Sequence, residues 1–320
     1  MDLLFLGTSS GTPTKTRNVT GLALIEEQGR QWFLIDCGEG TQHQLLRTGL
    51  SVNDLETVFI THVHGDHCYG LPGLLASAGM HGRRTPLTVI APLGVEAWWQ
   101  ATVQHTQLHL PYEVEFKATE SLTGHRVRNV MVDAITLSHR VPSYAYAFTE
   151  AEVEPVLDVD RLTREGVPQG PLWGQLKKGL DIDHEGRRLK SSEYLKPASR
   201  PRKVVVGGDN DRPALLAEAC RHADVLVHEA TYTADVAKKV GEGVGHSSAD
   251  IVAAFAQEIA LPNLVLTHFS ARYQSNPAQS PSIADVQGEA AAHYRGKLFM
   301  AEDFARYRLH KTGAFERTTA

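Results

Sequence analysis

The chain has 320 residues, 42% of them hydrophobic and 22% charged, with a formal net charge of −5. That length and apolar content suffice for a large buried core in one or two domains. No apolar stretch approaches membrane-spanning length, and three cysteines, Cys37, Cys68 and Cys220, are too few and too scattered for a disulfide framework, so a soluble protein of the reducing cytoplasm is expected.

The opening Met1–Gly7 runs from an apolar stretch straight into a turn, with an acid at position 2, and reads as a first strand rather than a signal core. Further strands are predicted near 19–26, 31–36 and 57–61, with a helix near 40–48. A helix near 71–80 follows, then strands near 86–91, 112–117, 131–138 and 144–149. Between about 150 and 202 the periodicity breaks down, punctuated by Gly166, Pro168, Gly170, Pro171 and Gly174 around Trp173. From 203 a second βα pattern begins, with strands at Lys203–Val206 and 224–228. Ser247 or Ser248 is placed to cap a helix carrying Ile251, Phe255 and Ile259 at four-residue spacing, which Pro262 closes. Trp98 and Trp99 are expected to anchor a helix face in the core or at a subunit contact. No internal repeat stands out, and alternating strands and helices favour a single α/β body over residues 1–320.

Charge is uneven along the chain. From Arg161 to Lys203 there are eleven Lys or Arg against five Asp or Glu, which suggests either a solvated insertion or a surface for an acidic polymer.

The most informative stretch is Ile60-Thr-His62-Val-His64-Gly-Asp66-His67. Four potential metal ligands fall within six positions directly after an apolar strand, and Gly65 permits a tight path that turns His62 and His64 to one point and Asp66 and His67 to another. Zinc normally takes four ligands, with one position left for water in catalytic sites. Others must therefore come from elsewhere, and three later places offer a ligand at the end of an apolar strand: His139, Asp209 and His268. Together they supply His62, His64 and His139 to one metal and Asp66, His67 and His268 to a second, with Asp209 able to bridge. That is the ligand supply of a two-metal hydrolase. The remaining histidines, His228 least securely because it adjoins Glu229, are expected to be ordinary surface or hydrogen-bonded residues.

The metal loop and the isolated His, Asp and His at strand ends resemble the metallo-β-lactamase fold. Phe5-Leu-Gly-Thr-Ser9, Pro13-Thr-Lys15-Thr-Arg17-Asn18, Asp36-Cys-Gly-Glu-Gly-Thr-Gln42, His228-Glu229-Ala-Thr231, Gly245-His246-Ser-Ser248 and Ala301-Glu-Asp303-Phe304 narrow the resemblance to the ribonuclease Z family. These are endoribonucleases that trim tRNA 3′ ends, and the likeness spans nearly the whole chain. It implies an αββα sandwich with an inserted protruding arm at 150–202 that grips the tRNA body. It also implies two Zn²⁺ per chain, with Mn²⁺ or Co²⁺ as substitutes, a homodimer, and precursor tRNA as the substrate. His246 is the expected general acid, with Glu229 holding its tautomer, and Asp66 the group that orients and deprotonates the attacking water. Lys15, Arg17 and Asn18, with Lys177 and Lys178 of the arm, are the expected RNA contacts, and Thr8 and Ser9 are expected to help shape the same pocket. One departure is Gly208-Asp209-Asn210-Asp211, where the family usually has Gly-Asp-Thr. Asn210 replaces a hydroxyl behind the bridging carboxylate and Asp211 adds charge, so metal affinity is expected to shift. The competing readings are another hydrolase of the same fold acting on small esters, and an RNA-binding protein whose metals are structural.

Overall fold

The structure is a computed structural model that describes residues 1–27, 30–153, 155–196, 200–241 and 243–318. Its first strand, Asp2–Gly7, sets the architecture. Leu3 and Phe5 point to one side, against Phe33, Tyr146 and Phe148, while Leu4 and Leu6 point to the other, against Leu34 and Leu75. A strand buried on both faces reads as a continuous apolar run instead of an alternating one.

Two sheets repeat this pattern. In the first, eight strands lie side by side in the order Phe315–Thr318, Arg306–Leu309, Asp2–Gly7, Gly21–Ile25, Trp32–Ile35, Leu55–Phe59, Leu87–Ala91, Val114–Ala118. In the second, seven lie in the order Lys297–Met300, Asn263–Thr267, Val225–Glu229, Lys203–Val206, Ser143–Glu150, Val130–Leu137, His125–Val127. Phe5, Phe33 and Phe59 of the first sheet meet Tyr146, Phe148, Val204 and Val227 of the second in a central core. Helices Thr41–Leu45, Leu71–Met80 and Leu93–Thr106 cover the outer face of one sheet, and Ala249–Glu258 and Ile283–His293 that of the other. The result is the expected αββα sandwich. Among the described residues no helix is long and apolar enough to cross a membrane.

Some expectations need correction. The strands Arg306–Leu309 and Phe315–Thr318 were not foreseen, while the helix face expected at Trp98 and Trp99 belongs to Leu93–Thr106, with Trp99 buried. In Ala249–Glu258 the buried stripe is Val252, Phe255 and Ala256, and Ile251 is 39% exposed. Ser248 occupies the N-cap, but its hydroxyl donates to the Asp250 carboxylate and leaves the helix N–H groups alone.

The region from 150 to 202 is more ordered than its broken periodicity suggests. It interrupts a hairpin, since Ser143–Glu150 and Lys203–Val206 pair antiparallel with Thr149 opposite Lys203. Within it Val156–Leu157 pairs with Leu195–Lys196, and Ile182–His184 with Arg187–Leu189. Three short helices, Val159–Arg164, Pro171–Lys177 and Ser191–Tyr194, complete a small unit with its own core of Leu162, Val167, Leu176, Ile182, Leu189 and Tyr194. Residues 154 and 197–199 of this expected arm lie outside the described residues.

Its charge also needs correction. Residues 150–202 hold ten Lys or Arg and ten Asp or Glu, so the basic excess belonged to the narrower window. Arg161 and Arg187 pair with Glu165, Lys196 with Asp158, and Arg202 with Glu150 at the neck.

Candidate metal centre

The two sheets bring their functional loops to one end of the sandwich, beyond the carboxyl ends of several strands, the usual ligand position in open α/β sheets. His62 follows Leu55–Phe59, His139 follows Val130–Leu137, Asp209 follows Lys203–Val206, Glu229 ends its strand, and His268 follows Asn263–Thr267. The sheets meet closely here. The Tyr146 hydroxyl donates to the Ile60 carbonyl at 2.7 Å, and the Tyr144 N–H to the Thr61 carbonyl at 3.1 Å. Gly208 is what lets the second sheet deliver Asp209, because a Cβ there would lie 2.6 Å from Thr61 and 2.8 Å from the Tyr144 carbonyl.

Among the described residues, potential ligand atoms converge in three overlapping groups, each within 4.8 Å: His62, His64, His139 and Asp209; Asp66, His67 and His268; and Asp209, His246 and His268. Asp209 joins them, with Oδ2 3.5 Å from His62 Nε2 and Oδ1 3.4 Å from His67 Nε2 and 3.3 Å from His268 Nε2. Two observations fit a pair of cations. His62 Nε2 is buried without a hydrogen-bond partner among the described residues, a costly arrangement for a polar atom unless an ion satisfies it. Imidazole nitrogens also face each other at hydrogen-bond distance, His67 Nε2 and His268 Nε2 at 3.1 Å and His139 Nε2 and His64 Nδ1 at 3.2 Å, which suits lone pairs aimed at a shared ion.

Partners behind the imidazoles fix which nitrogen faces inward. His67 Nδ1 lies 2.7 Å from Asp36 Oδ2, and Asp36 also accepts from the Thr61 N–H at 2.8 Å and its hydroxyl at 2.9 Å. His139 Nδ1 donates to the Gly245 carbonyl at 2.6 Å, and His268 Nδ1 lies 3.0 Å from Thr231 Oγ1. Asp36 and His268 both adopt left-handed backbone, φ 59° and 57°, a conformation costly for non-glycine residues and frequent at functional sites. The Gly11 N–H donates to Asp66 Oδ2 at 2.7 Å. Asp36, Thr231 and Gly11 carry no role legible in the sequence, although the first two lie in motifs that carry the resemblance.

Electrostatics sort the ligands. Burial, then neighbouring imidazoles, hold His62, His64 and His139 below the usual histidine range, which keeps them neutral as metal binding requires. Burial opposes a charge on His67, yet Asp209, Asp36 and Asp66 raise it well above that range; the same carboxylates that draw a proton here favour any cation, and a metal ion would take the proton's place. Burial likewise disfavours the Asp66 and Asp209 carboxylates, but the surrounding histidines hold both ionised. His246 Nδ1 sits 3.1 Å from Glu229 Oε1. Although burial works against its cation, Glu229 and then Asp209 push His246 up to about 9.

His228 has the ordinary role expected of it. Fully buried, it donates from Nδ1 to the Glu229 carbonyl at 2.7 Å and accepts from the Asn210 side chain at 3.1 Å. Asn210 also accepts from the Ser138 N–H at 3.2 Å and donates its own N–H to Glu229 at 2.8 Å. It therefore braces the loops that carry His139 and Asp209.

The N-terminal loop departs from expectation. Arg17 is buried and turned inward, donating to the carbonyls of Tyr273 at 2.8 Å and Ser270 at 3.4 Å, so its guanidinium is committed to holding the loop and is not presented to a phosphate. The Asn18 side chain donates to the Glu39 carbonyl at 2.9 Å, and its N–H to Asp303 at 2.7 Å. Asp303 also takes the Thr8 hydroxyl at 2.8 Å, while the Ser9 hydroxyl donates to the Thr12 carbonyl at 2.7 Å. Lys15 is exposed, as are Lys177 and Lys178 on the inserted unit.

Fold and ligand cluster together define a metallo-β-lactamase-fold protein with a site suited to two metals. A ribonuclease Z of Pseudomonas putida strain W619 is 55% identical over 320 residues, spanning 100% of this chain and 99% of the relative, and one of Marinobacter nauticus is 51% identical over 313 residues, 97% of each. The crystal structure of the short form of human tRNase Z superposes with a TM-score of 0.67 at 26% identity, covering 97% of this chain and 100% of that one. The metallo-β-lactamase fold protein YhfI of Bacillus subtilis, at 16% identity and TM-score 0.66 over 95% of this chain and 98% of its own, shares the fold. A family model described as anti-Pycsar protein Apyc1 matches residues 1–149, less than half of the chain. The chain belongs to the ribonuclease Z family.

Proposed function

We propose that the chain is a zinc-dependent endoribonuclease that removes the 3′ trailer from precursor tRNA. It cuts after the discriminator nucleotide and leaves a 3′-hydroxyl on the tRNA and a 5′-phosphate on the trailer. Family membership supports the reaction class, and the observation that carries the mechanism is the convergence of the ligand groups around Asp209, with His62 Nε2 buried and unsatisfied beside it.

His62, His64 and His139 would hold one Zn²⁺, Asp66, His67 and His268 the other, with Asp209 bridging; Mn²⁺ or Co²⁺ suit the same donors. Two bound cations supply a nucleophile at neutral pH and neutralise charge on the phosphate. Asp66, anchored by the Gly11 N–H, orients the attacking water and takes its proton. His246 delivers a proton to the leaving 3′ oxygen. Glu229 binds its Nδ1, which leaves Nε2 for the substrate side and favours the protonated ring.

Lys15, Lys177 and Lys178 are the proposed phosphate contacts, and the inserted unit meets the tRNA body by shape, because an A-form helix hides its base edges. Homodimerisation and a cytoplasmic setting belong to the same proposal. Family membership supports the first, and three buried, unpaired cysteines support the second. Mapping both product ends of a 3′-extended precursor tests the chemistry: a 3′-hydroxyl paired with a 5′-phosphate supports it, and a 2′,3′-cyclic phosphate on the tRNA product contradicts it.

A further inference from the structure

Beside the candidate centre lies a cavity of about 380 Å³ lined by His64, Asp66, Asp209 and His246, with Tyr69 and Arg140 on its wall. Neither of the last two has a part in the mechanism above. Tyr69 is 62% exposed. The ring is nonetheless held. Its centroid stands 5.9 Å from that of Trp98, tilted by 34°, and it packs against Gly65 of the ligand loop, where a Cβ would come within 2.2–2.5 Å of the ring atoms. Gly65 thus makes room for the Tyr69 ring, while its backbone is ordinary helix at the start of Gly65–Cys68 and does not use the freedom expected of it. Trp98 sits on the helix Leu93–Thr106, whose start packs on the same loop, since a Cβ on Gly94 would meet Val63 at 3.1 Å.

Arg140 follows His139 directly and is exposed. Among the described residues lining this cavity it is the sole Lys or Arg, beside the acids Glu39, Asp66 and Asp209. No hydrogen bond or ion pair occupies its guanidinium among the described residues, so it is available to an incoming anion.

We propose that Tyr69 and Arg140 form a nucleotide clamp at the mouth of the centre. The Tyr69 ring stacks an unpaired base next to the cut phosphodiester, and Arg140 binds a phosphate of the same strand. This deepens the functional reading above and rests on it. A fixed, exposed aromatic beside a cation is how proteins hold single strands without reading sequence, because every base has a face to stack. The clamp therefore selects an unpaired strand over a small diester, and does so whatever the trailer sequence.

The test measures kcat and KM of the zinc-loaded protein on a 3′-extended precursor tRNA and on bis(p-nitrophenyl) phosphate, with metal content determined for each variant. Tyr69→Ala is expected to raise KM for the precursor about tenfold, from the worth of one stacked base, with the loss falling on KM rather than kcat and exceeding any loss on the small diester. Tyr69→Phe and Tyr69→Trp should restore binding, since the ring is what matters. Arg140→Ala should raise KM for the precursor and flatten its dependence on salt. Equal losses on both substrates, or no rescue by Phe and Trp, would overturn the clamp. Wild-type cutting with an unchanged KM in Tyr69→Ala overturns the clamp alone, whereas wild-type protein that leaves the precursor uncut overturns the functional reading and the clamp with it.

Discussion

The Asp36 carboxylate lies 2.7 Å from Nδ1 of the buried His67 and is itself held by the N–H and hydroxyl of Thr61. It fixes the His67 ring so that Nε2 faces Asp209 and His268. Losing such a carboxylate behind a metal-binding histidine typically costs about 10–100-fold in metal affinity. Asp36→Asn should therefore weaken zinc binding by about that factor, read by competition with a chelator, while circular dichroism stays native. Unchanged affinity would mean that the ring is oriented by packing alone.

The pair Glu229 and His246 predicts a pH effect. Glu229 and Asp209 lift His246 to about 9, so the protonated acid persists through neutrality and cleavage declines as pH rises past that value. Glu229→Gln removes the charge that favours the cation, lowers the His246 value and shifts the alkaline limb of the cleavage profile to lower pH. A limb in the same place in the variant would show that another group donates the proton.

Arg17 and Lys15 should part company. Arg17 donates from within to the Tyr273 and Ser270 carbonyls, and hydrogen bonds to charged groups contribute about 1.5–3 kcal/mol. Arg17→Ala is expected to lower unfolding free energy by about that amount in a urea titration. Lys15→Ala should leave the titration alone and make precursor binding less steeply dependent on salt. Equal stability of the two variants would return Arg17 to the RNA surface.

The inserted unit should be separable. It interrupts a hairpin whose flanking strands pair with each other, and it carries its own core. Replacing residues 156–196 with a short linker is expected to leave a folded body that hydrolyses small phosphodiesters and cuts precursor tRNA poorly. Full precursor cleavage by the shortened chain would remove the tRNA-gripping role.

Much of this was legible in the sequence where the signal is local. The helix Leu71–Met80 and the strand Lys203–Val206 fall where apolar runs placed them, and the residues expected to ligate metal do converge, because each is delivered by its own strand end. What long-range partners decide was not legible. The burial of Arg17 depends on carbonyls more than 250 residues away, and the link from Asp36 to His67 crosses between two loops. The Trp98–Trp99 pair marked a helix face, but the helix Leu93–Thr106 buries only Val95 and Trp99, too thin a stripe to give its bounds by spacing. The basic character of the arm came from where the window was drawn, since Asp158 and Glu150, just before it, neutralise Lys196 and Arg202.

The most direct test of the central claim is a time course on a 3′-extended precursor tRNA with zinc-loaded protein, run beside His64→Ala. A single cut after the discriminator nucleotide, lost in the variant, is the expected result. No cut by the wild type, with a small phosphodiester still hydrolysed, would contradict it, keeping the fold and the metal centre and moving the substrate elsewhere.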